Sequence, residues 1–189
     1  MKRHGTTLVE LMVTVAIIGV MSSLSIYGFG RLTRVQRQVG GMREVAMLLG
    51  EARAEARARN QPVRVEVLAA PAGTRVRWGR LPCGDPWGRA CPSSACTSTT
   101  SCGGGCVCDQ MSGDVTLPPG ITVTGLNVCF LGSTGAPRGP SCHQSAAAVT
   151  TVRFDLAEET APYLLTIEPL SGVSRLVDCG RAPKDPACP

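Results

Sequence analysis

Ten cysteines are the residues of this chain best placed to do chemistry: Cys83, Cys91, Cys96, Cys102, Cys106, Cys108, Cys129, Cys142, Cys179 and Cys188. All lie beyond the first 80 residues, in a segment of about one domain. An even count at this density reads as a disulfide framework formed in an oxidising compartment. Five bridges allow about 945 pairings, and the spacings do not choose among them. Cys129 and Cys142 bracket a turn-rich stretch whose ends they can join. Cys179 and Cys188 can tie back a polar, proline-rich tail, although another partner for either is equally open. The alternative chemistry is metal ligation. Cys102-x3-Cys106-x-Cys108 offers thiolates, but it lacks the paired C-x2-C of zinc sites and matches no iron–sulfur spacing. No metal or other cofactor is expected.

Nucleophilic catalysis has little to stand on. The chain holds two histidines, His4 and His143. Ser141-Cys142-His143 places three reactive types side by side, whereas a triad needs residues brought together by the fold. No G-x-S-x-G, H-E-x-x-H or phosphate-loop pattern is present. The sequence reads as a non-enzyme.

The remaining residue of chemical interest is Glu10. It sits near the start of an apolar run from Leu8 to Phe29, preceded by Lys2 and Arg3. A carboxylate in apolar surroundings is costly and is usually partnered. As a helix the run spans about 33 Å, the thickness of a hydrocarbon core, with the leading basic residues on the cytoplasmic side. A secretory signal would have a shorter apolar core and a small-residue cleavage site behind it.

Gly5-Thr6-Thr7-Leu8-Val9-Glu10, followed by Leu11-Met12-Val13-Thr14-Val15-Ala16-Ile17-Ile18-Gly19, resembles the class III signal of type IV pilins and pseudopilins. The resemblance implies cleavage between Gly5 and Thr6 by a prepilin peptidase that also methylates the new N-terminus. Thr6 departs from the phenylalanine usual at that position. The resemblance further gives Glu10 an assembly role, pairing with the freed amino group of a neighbouring subunit. Implied partners are major and minor pilins or pseudopilins and an inner-membrane assembly platform. The implied location is the bacterial inner membrane, single-pass, with the body in the periplasm.

Those sites require a long positioning element. Beyond Arg31, apolar residues at Leu32, Val35, Val39, Met42, Val45, Leu48 or Leu49, Ala52 and Ala56 keep to one helical stripe. Asn60-Gln61-Pro62 ends it. A continuous helix from Thr6 to Arg59 would be about 81 Å long. Gly28 and Gly30, with serines nearby, mark a bend or a site of close packing. Arg31, Arg34 and Arg37 read as a solvated face.

After Pro62 the period becomes two. Strands are expected at 62–68, 74–78, 114–117, 121–124, 127–131, 150–155, 163–168 and 174–177. Residues 82–114 carry six cysteines and no apolar period, and so read as a disulfide-held insertion. The expected organisation is a leader (1–5), a membrane-spanning half-helix (6–30), an amphipathic half-helix (31–60), a β body (61–178) and a tail (179–189). The fold class is α+β: a long N-terminal helix, membrane-spanning in its first half, on an antiparallel sheet.

The second half also resembles the GspH/FimT-type minor pseudopilin domain, through Val128 to Phe130, Gly132, Gly135, Thr166-Ile167 and Ser171-Gly172-Val173-Ser174. This implies a minor subunit that initiates or caps a pilus or a type II secretion pseudopilus. Some FimT-like proteins are associated with DNA uptake. Arg153, Arg175, Arg181 and Lys184 are the available phosphate contacts, against interleaved Asp178 and Asp185. The other reading is a disulfide-rich anchored binding module unrelated to filaments. The formal charge of +5 falls to +3 without Lys2 and Arg3, leaving 17 basic against 14 acidic residues. That excess alone does not call for nucleic acid.

Overall fold

The computed structural model describes residues 7–70, 73–80, 110–139, 142, 147–157, 159–182 and 185–189, with only the backbone described at 24–29, 31 and 69–70. It divides into two compact units, 1–39 and 40–189.

Helix α1 runs Leu8–Arg59 and stays helical through Gly19, Gly28 and Gly30. Its start is capped. The Thr7 hydroxyl accepts the Glu10 amide N–H at 3.3 Å, and Leu11 N–H donates to the Thr7 carbonyl. Thr-x-x-Glu at these positions is the sequence of a capping box. Its end is a left-handed turn. Asn60 has φ +53°, Gln61 N–H donates to Ala56 O at 3.1 Å, and Asn60 N–H donates to Arg57 O at 3.4 Å. This is the Schellman pattern, with Pro62 just beyond to prevent continuation.

In the first unit, the expected membrane-spanning half-helix is not found. Among the described residues, no helix is long and apolar enough to cross a membrane. Glu10, Thr14, Ser22 and Ser23 dilute the apolar residues of the helix's first half. The single-pass inner-membrane placement, with its periplasmic body, rested on that span and is withdrawn with it.

The second unit is α+β. Strands β1 (Val63–Ala70) and β2 (Gly73–Arg80) form a hairpin in full register, Val63 opposite Arg80 and Ala70 opposite Gly73. Two short strands, β3 (Gln110–Met111) and β4 (Val115–Thr116), pair with the outer edge of β2. On the other side β1 pairs with β6 (Val128–Phe130), and β6 with β7 (Pro137–Arg138). A second antiparallel sheet has the order β10-β9-β8-β5, from Ser174–Asp178, Tyr163–Ile167, Thr151–Leu156 and Ile121–Thr124.

The core follows from the two periods. Met42, Val45, Leu49, Ala52 and Ala56 form the buried stripe of α1. Val63, Val65, Val76 and Trp78 come from the first sheet, and Val152, Phe154, Leu165 and Ile167 from the second. The alternation in β1 does not separate core from solvent, however. Arg64 and Glu66, on the opposite face from Val63 and Val65, are 3% and 5% exposed and paired at 3.0 Å. Leu164 and Val177, on the other face of the second sheet, make a small cluster with Cys179.

Candidate functional site

Gly5 and Thr6, the expected processing residues, lie outside the described residues. Glu10 is exposed in the first turn of α1, three residues after the capping Thr7. Around it the helix is apolar on all sides and bare. Leu8, Val9, Leu11, Met12, Val15, Ile18 and Met21 are each at least 60% exposed. A helix apolar all round is stable only where something covers it. The carboxylate therefore stands at one end of a surface that needs partners.

Of the ten cysteines, Cys83, Cys91, Cys96, Cys102, Cys106 and Cys108 lie outside the described residues, as does nearly all of the expected insertion. The other four form two bridges, Cys129 to Cys142 and Cys179 to Cys188. With its sulfur bonded, Cys142 has no thiolate to offer, and His143 lies outside the described residues. Among the described residues, no group of three or more His, Cys, Asp or Glu is arranged to hold a metal ion.

The four basic residues considered for phosphate contact do not make one patch. Strand register puts Arg153 and Arg175 on the same face of the second sheet, because Arg153 pairs with Leu164, and Arg175 with Thr166 two residues along. Each is occupied by an aspartate. Arg153 Nη2 is 2.7 Å from Asp155, and Arg175 Nη2 is 2.6 Å from Asp185. The hydrogen bond to Asp155 raises the Arg153 pKa, and the same bond holds the Asp155 carboxyl below its usual value. The Asp185 carboxyl is also held low, first by the Ala187 amide N–H and then by Arg175. Arg181 is exposed, and Lys184 lies outside the described residues. The face is thus two neutral ion pairs.

Other arginines meet no carboxylate among the described residues. Arg59, Arg64, Arg75, Arg80, Arg153 and Arg175 each meet a carboxylate. Among the described residues, Arg53 and Arg57, one turn apart on α1, do not; the Nε atoms of Arg53 and Arg138 are buried without a hydrogen-bond partner, while Arg138 Nη1 donates to Pro137 O at 3.3 Å. Arg53 and Arg57 pack against the Gly135 turn. A Cβ at Gly135 would lie 2.9 Å from Arg57 Cδ and 3.2 Å from Arg53 Cγ. Arg138 lines a groove of about 320 Å³ with Leu131, Ser133, Thr134, Pro169 and Leu170. The Arg53/Arg57 spacing of four was visible in the sequence. The turn-rich stretch around Gly135 was legible too, but not its approach to Arg53 and Arg57.

Residues 1–26 match the family model described as the prokaryotic N-terminal methylation motif. No curated protein and no solved structure matched the chain. The motif implies processing by a prepilin peptidase and methyltransferase. The chain thus has a class III prepilin methylation motif at its N-terminus, consistent with a non-enzymatic protein of the pilin- and pseudopilin-like superfamily.

Proposed function

We propose that the chain is a minor pilin or pseudopilin, a structural subunit that helps to initiate or cap assembly of a type IV pilus or a type II secretion pseudopilus. The observation that carries this reading is the methylation motif leading directly into a capped helix whose apolar surface is bare on every side. Packing that surface against the helices of neighbouring subunits removes it from water at roughly 25 cal/mol per Å². Glu10 adds direction. In an apolar bundle its carboxylate seeks a cation, and the amino group freed at Thr6 of a neighbour supplies one. The subtype resemblance in the second half supports a minor rather than a major subunit. DNA contact receives less support, because Arg153 and Arg175 already hold carboxylates.

The test is mild cross-linking in the native host, purification, and mass spectrometry of the N-terminal peptide and of everything co-recovered. A methylated Thr6 N-terminus together with pilus or pseudopilus subunits is the expected result. An N-terminus beyond Phe29 without any filament subunit sinks the proposal.

A further inference from the structure

Strand register gathers arginines on the face of the first sheet turned away from α1. Val63, Val65 and Trp78 are buried on the α1 side, where Arg80 meets Glu55. The alternate residues are charged: Arg64 and Glu66 on β1, Arg75 and Arg77 on β2, with Glu66 directly opposite Arg77. Alternation sets Arg75 and Arg77 side by side on that outer face, about 7 Å apart. Arg64 holds Glu66 at 3.0 Å, and Arg75 Nη1 donates to Asp114 at 2.8 Å. Arg77 is only 8% exposed, and among the described residues no carboxylate forms an ion pair with it. The Nε atoms of Arg75 and Arg77 are both buried without a hydrogen-bond partner. Three guanidiniums thus share two carboxylates, which leaves one buried positive charge and two unused N–H donors on neighbouring side chains. A buried charge calls for a counter-charge, and a buried donor for an acceptor.

We propose that Arg75 and Arg77 bind a small free oxyanion of the phosphate or sulfate class on the outer face of the first sheet. The planar guanidinium fork matches an oxyanion better than it matches a spherical ion such as chloride. Hydrogen bonds of about 2.9 Å on either side of one tetrahedral anion cover the spacing of the two side chains. The Arg75 side chain, 44% exposed, is the open end of the site, and Arg77 is its closed end. Asp114 already occupies Arg75 Nη1, so the anion meets Arg75 along its Nε edge. A guanidinium as buried as Arg77 is out of reach of a lipid headgroup layer or a nucleic-acid backbone, and the ligand is therefore a free ion. Once bound, the anion neutralises the leftover charge and ties together side chains of the β1–β2 hairpin. Because it binds the folded chain alone, it stabilises the body by mass action. The site does not depend on the filament-subunit reading.

The experiment follows thermal unfolding of the full chain in detergent, at fixed ionic strength, as chloride is exchanged for inorganic phosphate or for sulfate. The expected result is a saturable rise in Tm with either oxyanion, about 5 °C at roughly a hundred times the half-saturating concentration. Binding is read directly as broadening of the inorganic phosphate line in phosphorus NMR, reversed by added sulfate. Arg77→Met removes the buried charge and keeps an apolar stem. It should abolish both effects, while its Tm in chloride matches or exceeds that of the parent chain. Arg75→Gln should raise the half-saturating concentration about tenfold. Arg181→Gln, on the exposed tail, should leave both readouts unchanged. The absence of a saturable rise above chloride overturns the site, and so does a rise that Arg77→Met retains. Should Arg77→Met not fold, the phosphorus line decides: no broadening by the parent chain, or broadening that Arg75→Gln leaves untouched, overturns the proposal.

Discussion

The Thr7 hydroxyl accepts the Glu10 amide N–H at 3.3 Å, so the residue expected to direct assembly is also the third residue of a capped helix. Two roles thus meet in one turn, and they can be separated. Thr7→Val removes the cap and keeps the carboxylate. It should destabilise the helix start by about 1 kcal/mol, seen as faster amide exchange over the first turn. Glu10→Gln keeps the amide that Thr7 holds and removes the charge. On the proposed function, Glu10→Gln should depress recovery of the chain with filament subunits far more than Thr7→Val does. Equal losses would mean that the helix start, rather than the charge, matters.

Gly132 is held against the end of the same helix. A Cβ there would lie 2.3 Å from the Asn60 carbonyl carbon and 2.4 Å from Gln61 N, backbone atoms of the Schellman turn. Gly132→Ala should cost about 3 kcal/mol, since neither chain can yield without opening the turn. Gly172→Ala combines φ +69° with a Cβ 2.5 Å from Gly135 O and should cost at least as much. Gly50 has nothing within 4 Å, and Gly50→Ala should stabilise by about 1 kcal/mol through helix propensity. Chemical denaturation of the three variants checks the order.

The buried Arg64–Glu66 pair should be non-additive. Glu66→Ala leaves a guanidinium 3% exposed without this partner, at a cost of about 3–5 kcal/mol. Both residues have further contacts, so neither substitution is silent. Arg64→Met with Glu66→Leu should nevertheless cost less than the sum of the single changes, because no charge is then stranded. A double-mutant cycle by urea unfolding measures the coupling. Simple additivity would show that the pair contributes nothing as a pair.

The C-terminal tail is tied twice, by the Cys179–Cys188 bridge and by Arg175 on Asp185. The Asp185 carboxyl is held below its ordinary value. A lowered carboxylate contributes stability that is fully present above the unfolded value near 3.9 and is lost as pH falls through the folded one. The tether should therefore be intact at pH 7 and loosen only below about pH 4, followed through the Ala187 amide resonance. Cys179→Ser with Cys188→Ser should cost about 3 kcal/mol on the chain-entropy account and expose Leu164 and Val177 to solvent. An unchanged amide resonance down to pH 2 would disprove the tether.

Much of the path from residues to elements was open in the sequence. The period of about 3.6 in the stripe from Met42 to Ala56 and the period of two from Val63 gave the helix and its hairpin, because each period leaves one face apolar. Asn60-Gln61-Pro62 gave the helix end, because asparagine tolerates the left-handed turn and proline forbids another one. The two-residue strands β3 and β7 were not legible, since two residues carry no period. The membrane span read from Leu8 to Phe29 is not borne out, since no described helix is long and apolar enough to cross a membrane, and Glu10, Thr14, Ser22 and Ser23 interrupt its apolar residues.

The processing motif and the likeness of the N-terminus to prepilins are properties of the sequence itself, because a peptidase reads a linear segment. The state of the charges was a matter for the tertiary structure. Arg153 and Arg175 look free in the sequence, yet register and the tail bring each an aspartate. Arg53 and Arg57 look unremarkable, yet the fold sets the turn at Gly135 against both. Attraction between charges depends on separations of a few ångströms, and Arg75 and Asp114, 39 residues apart in the chain, come within 2.8 Å only when the chain folds.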